Sequence, residues 1–430
     1  KVNATATAHA WTIEESMLDP LQAFINMLAE EEQDPENGRT EPMDIRGLDE
    51  EDICESCASR DEQIVIPPVP YPIRITGGYL PVPRPERPRT ADFHPIYVPQ
   101  GSHLILDDVI IRDYIGGNHV IYVEGTLEIT VNFIVNIREW EWFIHVGPHG
   151  HVIWHKKGDD QRIKNEGTFD MEDGQMALID NSGTMNHKKG TVTQIINRYI
   201  YNFIGGQIDK AHNHGTMNHS GGTILTARNY AEGTWRMSGG SISNTVVNTT
   251  DTVYVNYGKF YFTGGIIGGY CSRLIWHGPN AFMRIDGGRF SFTGVRHYFI
   301  EAHNHFYIRG DYDYAATVPI LLKPSVTIRL LYNWIYNFNV TFIGGRPTPR
   351  FPLFWGDGFT LSTDHYRYIL WTLPNHRWRW YYSADNNTIE PRDEEVWDED
   401  DLQAYINWLD TYKDSEAAST ESNPQVLDLG

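Results

Sequence analysis

The feature that most constrains the fold is a 16-residue repeat in the middle of the chain. Segments that begin at Asn165, Asn181, Asn197 and Asn213 each place an apolar residue four positions after the asparagine and a glycine nine positions after it. Related segments follow up to residue 290, at wider spacings of 18, 25 and 23 residues. Because coils of similar length stack equivalent positions above one another, this repeat predicts a solenoid.

Each position of the repeat has a structural interpretation. The glycine position predicts a tight turn with positive φ, which only a residue without a side chain adopts easily. Two apolar positions, one on each side of that turn, predict inward-facing side chains of short strands. The glycines are Gly174, Gly190, Gly206, Gly222, Gly240, Gly265 and Gly288. The first apolar position holds Phe169, Met185, Tyr201, Met217, Trp235, Phe260 and Met283, and the second holds Met176, Val192, Ile208, Ile224, Ile242, Ile267 and Phe290.

Asparagine recurs at two positions of the repeat. One column contains Asn165, Asn181, Asn197 and Asn213, with Asn256 rejoining it later, and a shorter one contains Asn186, Asn202 and Asn218. Stacked asparagines about 4.8 Å apart can hydrogen-bond in a ladder, because each side chain is both donor and acceptor. Asparagine ladders with glycine turns predict an all-β, single-stranded parallel β-solenoid with coils of 16 to 25 residues.

These motifs resemble those of the right-handed parallel β-helices of bacterial secreted and surface proteins, of the pectin-lyase-like and autotransporter-passenger kind. The resemblance covers roughly residues 75 to 385. It implies right-handed winding, a location outside the cell or on its surface, and either adhesion or action on polysaccharides.

The acidic charge of the chain, net −21, is concentrated at its ends. Residues 1–62 carry 17 acidic and 4 basic side chains and residues 390–430 carry 13 and 2, whereas residues 63–389 are nearly neutral. We therefore expect an acidic N-terminal segment (1–62), a proline-rich extended linker (63–100), the β-helix (101–389) and an acidic C-terminal segment (390–430). This distribution argues against a nucleic-acid partner.

Both acidic segments contain a short amphipathic sequence. LQAFINML (21–28) and LQAYINWL (402–409) share six of eight residues and predict helices, the first near residues 14–30. Capping of the solenoid ends is the favoured role, and docking of a partner is the alternative. No apolar run is long enough to span a bilayer. The first residue is lysine, so a trimmed export signal is compatible with the sequence.

The cysteines do not predict a metal or redox site. Cys54 and Cys57 form one C-x-x-C, and no second ligand pair accompanies it. A local disulfide and two free thiols are both compatible with this spacing. The histidines near residues 212–219 and 297–305 could hold a metal, but His187 and His219 occupy a packing position of the repeat. We therefore expect no metal and no cofactor.

Two regions offer weak candidates for catalysis. Residues 147–164 contain fragments that look like polygalacturonase signatures, with Asp159, Asp160 and Arg162 among them. They are crowded into one loop in the wrong order, so we interpret them as a charged turn. Asp311 and Asp313, near Arg309, have the composition of a lyase calcium site, and a turn between strands is again the preferred interpretation.

Aromatic residues are the main indication of a ligand, because flat rings with polar neighbours bind sugars. The candidate binding residues are Trp276, Trp355, Trp371, Trp378, Trp380 and Tyr381. The sequence therefore favours a secreted or cell-surface, non-catalytic binding protein or adhesin, whose partner is carbohydrate or a surface glycoprotein. A polysaccharide lyase or glycoside hydrolase is the alternative, and a structural spacer is the second alternative.

Overall fold

A computed structural model shows that the chain is a parallel β-solenoid protein with two units, residues 1–218 and 219–430. The described residues are 10–12, 43–46, 63–77, 94–112, 119–130, 134–136, 142–155, 161–244, 252–269, 271–291, 295–308, 320–322, 326–330, 338–342, 353–356, 360–361, 369–371 and 379–392. The two predicted end helices, Cys54 and Cys57 lie outside these ranges. Within them, no helix is long and apolar enough to cross a membrane.

The first unit is built from short strands. In chain order they are β1 (Ala10–Thr12), β2 (Met43–Arg46), β3 (Ile64–Val65), β4 (Ile73–Thr76), β5 (Ile96–Val98), β6 (His103–Asp107), β7 (Ile110–Arg112), β8 (His119–Val123), β9 (Thr126–Ile129), β10 (Ile134–Asn136), β11 (Trp142–Val146), β12 (His151–Trp154), β13 (Gln161–Asn165), β14 (Thr168–Met171), β15 (Gln175–Asn181), β16 (Thr184–His187), β17 (Thr191–Asn197), β18 (Ile200–Phe203), β19 (Gln207–Asn213) and β20 (Thr216–His219).

These strands form two parallel sheets and one separate pair. The first sheet contains β1, β2, β4, β6, β9, β12, β14, β16, β18 and β20, of which β20 ends one residue past the boundary of the unit. The second contains β3, β5, β8, β11, β13, β15, β17 and β19, and β7 pairs with β10. Three of these strands, β3 to β5, lie within the proline-rich segment 63–100. Part of that segment therefore belongs to the solenoid, because its prolines fall between the strands.

The second unit continues the strand numbering. Its strands are β21 (Thr223–Asn229), β22 (Thr234–Met237), β23 (Ser241–Asn244), β24 (Thr252–Asn256), β25 (Lys259–Phe262), β26 (Ile266–Gly269), β27 (Cys271–His277), β28 (Phe282–Ile285), β29 (Arg289–Ser291), β30 (Val295–Ala302), β31 (Phe306–Ile308), β32 (Ile320–Leu322), β33 (Ile328–Leu330), β34 (Phe338–Phe342), β35 (Phe354–Gly356), β36 (Ile369–Trp371), β37 (Arg379–Ser383) and β38 (Thr388–Arg392).

Here too the strands form two sheets. The first sheet runs through β22, β25, β28, β31, β33 and β35 in parallel register, and β38 joins β35 and β37 in antiparallel register. In the second sheet, β23 and β24 both pair with the single long strand β21, and the next two coils also have two strands each, β26 with β27 and β29 with β30. The wider spacing of these coils therefore comes partly from additional strand residues.

The repeat positions predicted from the sequence are confirmed. Thr168, Thr184 and Ile200 are register partners, which is the 16-residue period. All seven residues of the first apolar column are fully buried, as are the first six of the second. All seven repeat glycines have positive φ, between 69° and 107°. A Cβ at Gly190 would also lie 2.3 Å from the Gly174 carbonyl oxygen, so stacking of the turns independently requires glycine there.

Buried asparagines connect successive coils in both units. In the first unit, Asn165, Asn181 and Asn197 each donate to the Oδ1 of the next asparagine, at 2.6–2.8 Å. In the second unit Asn229 donates to Asn256 at 2.9 Å, and His277 takes the next place in the column. The predicted ladder is thus confirmed. Asn229 escaped prediction because the turn that follows it is longer.

Candidate functional site

On the outer side of the first sheet in the second unit, arginines alternate with aromatic residues from coil to coil. The members are Arg236, Tyr261, Arg284, Tyr307, Arg329 and Trp355, which are register partners on six successive strands. We call this set the Arg–aromatic column. Because neighbouring strands lie about 4.8 Å apart, the column extends for about 24 Å.

The outward position of the column follows from strand alternation. Successive side chains of a strand point to opposite faces of the sheet. Tyr261 lies between Phe260 and Phe262, both fully buried, and Arg284 lies between the buried Met283 and Ile285. The residues that fill the core therefore force the column members onto the solvent side.

Arg329 is held between two aromatic rings. Its guanidinium carbon lies 5.3 Å from the centre of the Tyr307 ring and 4.6 Å from that of the Trp355 ring. Its Nη1 also donates a hydrogen bond of 2.9 Å to the Tyr307 hydroxyl. Attraction between the cation and the ring faces fixes the guanidinium in place while its remaining N–H groups stay available.

The rings form a nearly continuous surface along the column. Phe282 lies 5.4 Å from Tyr261 on one side and 5.4 Å from Tyr307 on the other, measured between ring centres. The Arg236 guanidinium lies 5.8 Å from the centre of the Tyr261 ring. Phe282 therefore supplies an aromatic ring between Tyr261 and Tyr307, on the strand whose own column member is Arg284.

The column carries excess positive charge. Arg284 forms an ion pair of 2.7 Å with Asp286. Among the described residues, no carboxylate lies within 4.0 Å of the guanidinium nitrogens of Arg236 or Arg329. Burial and, to a smaller extent, the nearby Arg329 lower the pKa of His305, which favours its uncharged form. Within the described part of the chain, only Arg284 of the three arginines therefore has a carboxylate partner.

Such an arrangement has a definite binding chemistry. Guanidinium groups bind carboxylates and sulfate-like anions through paired N–H donors. Aromatic faces bind flat apolar surfaces, including the C–H faces of sugar rings. A linear ligand with both features could contact several coils at once.

A ring cluster in the first unit differs, because its members already bind one another. His94 stacks on His119 at 4.2 Å between ring centres, and Tyr122 lies 4.6 Å from His94. The Tyr122 hydroxyl donates to Glu124 at 2.5 Å, and burial is the main cause that raises the pKa of this tyrosine. We assign this cluster a structural role.

The residues predicted from sequence fall in several places. Asp159, Asp160, Asp311, Asp313 and Trp378 lie outside the described residues. Arg162 is in β13 with an exposed side chain, Trp371 is in β36, and Trp380 and Tyr381 are in β37. Trp355 belongs to the Arg–aromatic column, whereas Trp276 lies in β27 of the second sheet. The two tryptophans are therefore not in one site. Among the described residues, no group of three or more His, Cys, Asp or Glu side chains could hold a metal ion.

Five members of the column escaped prediction, although a signal was present. Asn186, Asn202 and Asn218 occupy the repeat position that holds Arg236, Tyr261 and Arg284 in later coils. Continuing that position beyond Asn218 would have shown the change from amides to arginine and aromatic residues.

Comparisons with models of protein families, with curated proteins and with solved structures found no match to this chain.

Proposed function

We propose that this protein is a non-catalytic β-solenoid that binds an anionic glycan along the Arg–aromatic column. The observation that carries the proposal is the alternation of guanidinium and aromatic side chains on the outer side of six successive coils. Solenoids bind ligands on such extended surfaces. In this proposal the protein is secreted or displayed on the bacterial surface, and the glycan is free or attached to a host glycoprotein.

The charge pattern supports an anionic ligand. A glycan without acidic groups would leave Arg236 and Arg329 without a counter-charge and would gain only the aromatic contacts. A glycan with carboxylate or sulfate groups gains charge-assisted hydrogen bonds, which are about twice as strong as neutral ones. Because the column is partly exposed, we expect its affinity to fall as salt screens these charges.

The proposal is tested with the full chain on a glycan array that contains neutral, uronate-containing and sulfated glycans. We expect binding to acidic members and about tenfold to a hundredfold weaker binding by Arg329→Ala, because hydrogen bonds to charged groups contribute about 1.5–3 kcal/mol. Arg162→Ala is the matched control, since it removes an exposed arginine outside the column, and its binding should be unchanged.

Three outcomes would contradict the proposal. They are binding to neutral glycans alone, binding that Arg329→Ala leaves unchanged, and no binding at all. An assay for unsaturated sugar ends, run on the same glycans, tests the lyase alternative. Release of such ends would show that the protein is an enzyme and would overturn the non-catalytic part of the proposal.

A further inference from the structure

The arginines of the Arg–aromatic column recur at a fixed interval. Arg236 in β22 is the register partner of Tyr261 in β25, which is in turn the partner of Arg284 in β28. Arg284 is the partner of Tyr307 in β31, which is in turn the partner of Arg329 in β33. Each arginine is therefore two strands from the next. Since neighbouring strands lie about 4.8 Å apart, the arginine positions are spaced at about 9.6 Å along the stack.

The strands between the arginines present rings at the column position. Tyr261 and Tyr307 are both partly exposed, and the Tyr307 hydroxyl accepts a hydrogen bond from Arg329. Two positions earlier in the chain, about 7 Å to one side of the column, are the exposed Lys259 and His305. The uncharged form of His305 is favoured. At the column position itself, cation and ring therefore alternate strictly from strand to strand.

The three guanidinium groups can be reached from solvent. Arg236 is exposed, and Arg284 and Arg329 are partly exposed. Arg284 pairs with Asp286 through Nε at 2.7 Å, so its terminal nitrogens are not used by this ion pair. A ligand that lies along the outer side of the sheet can therefore contact all three arginines.

The spacing of the arginines distinguishes between classes of linear anion. An extended acidic peptide presents its same-face side chains about 6.7 Å apart, which does not match the arginines. In an extended, equatorially linked polysaccharide, each pyranose residue advances the chain by roughly one strand spacing. An acidic group on every second sugar therefore recurs at the interval of the arginines. The uncharged sugar between two acidic ones then lies at a ring, where its C–H groups make apolar contacts.

We propose that the ligand of the Arg–aromatic column is a linear polysaccharide with a disaccharide repeat, in which a sugar bearing a carboxylate or sulfate alternates with an uncharged sugar. This inference rests on the proposed function, because it specifies the glycan that the column binds. Arg236, Arg284 and Arg329 each bind the acidic group of one disaccharide through their N–H donors. The three positions span four strand spacings, about 19 Å, so a chain of five or six sugars reaches all of them.

Isothermal titration of the full chain with size-matched oligosaccharides tests the inference. The probes are alternating uronate–N-acetylhexosamine oligomers of four and six sugars, and homopolymeric oligouronates of the same two lengths. We expect the alternating hexamer to bind at least as tightly as the homopolymeric hexamer, although it carries half as many carboxylates. It should bind about tenfold or more tighter than the alternating tetramer, because only the hexamer reaches all three arginines.

Arg236→Ala tests whether the arginines act at separate disaccharides. It should weaken binding of the alternating hexamer about tenfold, because one charge-assisted contact is lost. The alternating tetramer still reaches Arg284 and Arg329, so its affinity should change by about twofold at most. Arg162→Ala is the matched control, since Arg162 is an exposed arginine outside the column, and it should change the affinity of neither oligomer.

Tighter binding of the homopolymeric hexamer would show that the amount of charge decides the affinity. Equal effects of Arg236→Ala on the two alternating oligomers would show that the spacing of the arginines is not recognised. Either result overturns this inference and leaves the proposed function standing. No binding of any acidic oligosaccharide would overturn both.

Discussion

The two units place different chemistry at the same position of the coil. In the first unit, Asn218 donates to Asn202, Asn202 to Asn186, and Asn186 to Asp170, at 2.6–2.9 Å. In the second unit this position holds the Arg–aromatic column. The amides use their hydrogen bonds on one another, whereas Arg236 and Arg329 retain donors and charge. The outer column of the first unit therefore connects its own coils, whereas that of the second unit keeps donors and charge with which it can bind a ligand.

Both units contain a buried histidine, and we expect the largest effect when acid protonates these histidines and lowers the stability of the fold. Burial lowers the pKa of His187, in the first unit, and of His277, in the second, from 6.5 to about 4. The unfolded chain therefore takes up protons before the folded chain does. The free energy of unfolding should be constant above about pH 6.5. Between pH 6.5 and pH 4 it should fall by about 3 kcal/mol for each histidine.

Urea unfolding at several pH values measures this loss. His187→Met is the informative variant, because Met171 occupies the same position one coil earlier. It should remove one histidine's share of the pH dependence. Unchanged stability between pH 6.5 and 4 would show that the buried imidazoles are not held neutral.

The next largest effect should come from the buried ladder of the first unit. Asn181 is fully buried and donates to Asn197 Oδ1 at 2.8 Å and to the Ile200 carbonyl at 2.9 Å. Asn181→Ala leaves both acceptors without this donor, and we expect a loss of about 3 kcal/mol. Glycan binding by the folded fraction should be normal. A loss below about 1 kcal/mol, measured by urea unfolding, would mean that the ladder contributes little.

Arg329→Ala should weaken glycan binding and leave the stability of the fold nearly unchanged, which is the opposite of the effect of Asn181→Ala. We expect glycan affinity to fall by about 2 kcal/mol, because charge-assisted contacts are lost, and the free energy of unfolding to change by about 1 kcal/mol or less. Binding and urea titrations on the same sample measure both quantities. A larger loss of stability than of binding would make the column a structural device like the amides.

The smallest effect should come from the outer amides. Asn202 is partly exposed, donates a hydrogen bond to Asn186 and accepts one from Asn218. Asn202→Ala should cost about 1 kcal/mol of stability, because water replaces the lost partners, and should leave glycan binding unchanged. Weaker glycan binding by this variant would contradict the distinction between the two units.

Periodicity explains which features the sequence could predict. The positions of Gly190, Met185 and Asn181 hold a glycine, an apolar residue and an asparagine every 16 residues. Each of these columns can therefore be recognised from the sequence. The Arg–aromatic column has no such uniformity, because its residue types alternate and its coils differ in length. The sequence indicates Trp355 only as one of several tryptophans and tyrosines. The strand register is what places Arg329 beside it.

A crystal structure of the chain with a bound acidic oligosaccharide tests the central claim most directly. We predict that the glycan follows the Arg–aromatic column across several coils, with acidic groups within hydrogen-bond distance of Arg329 and Arg236 and sugar rings on Tyr307 or Trp355. A glycan bound instead to the outer amides of the first unit, or at a site away from both arginines, would contradict the account.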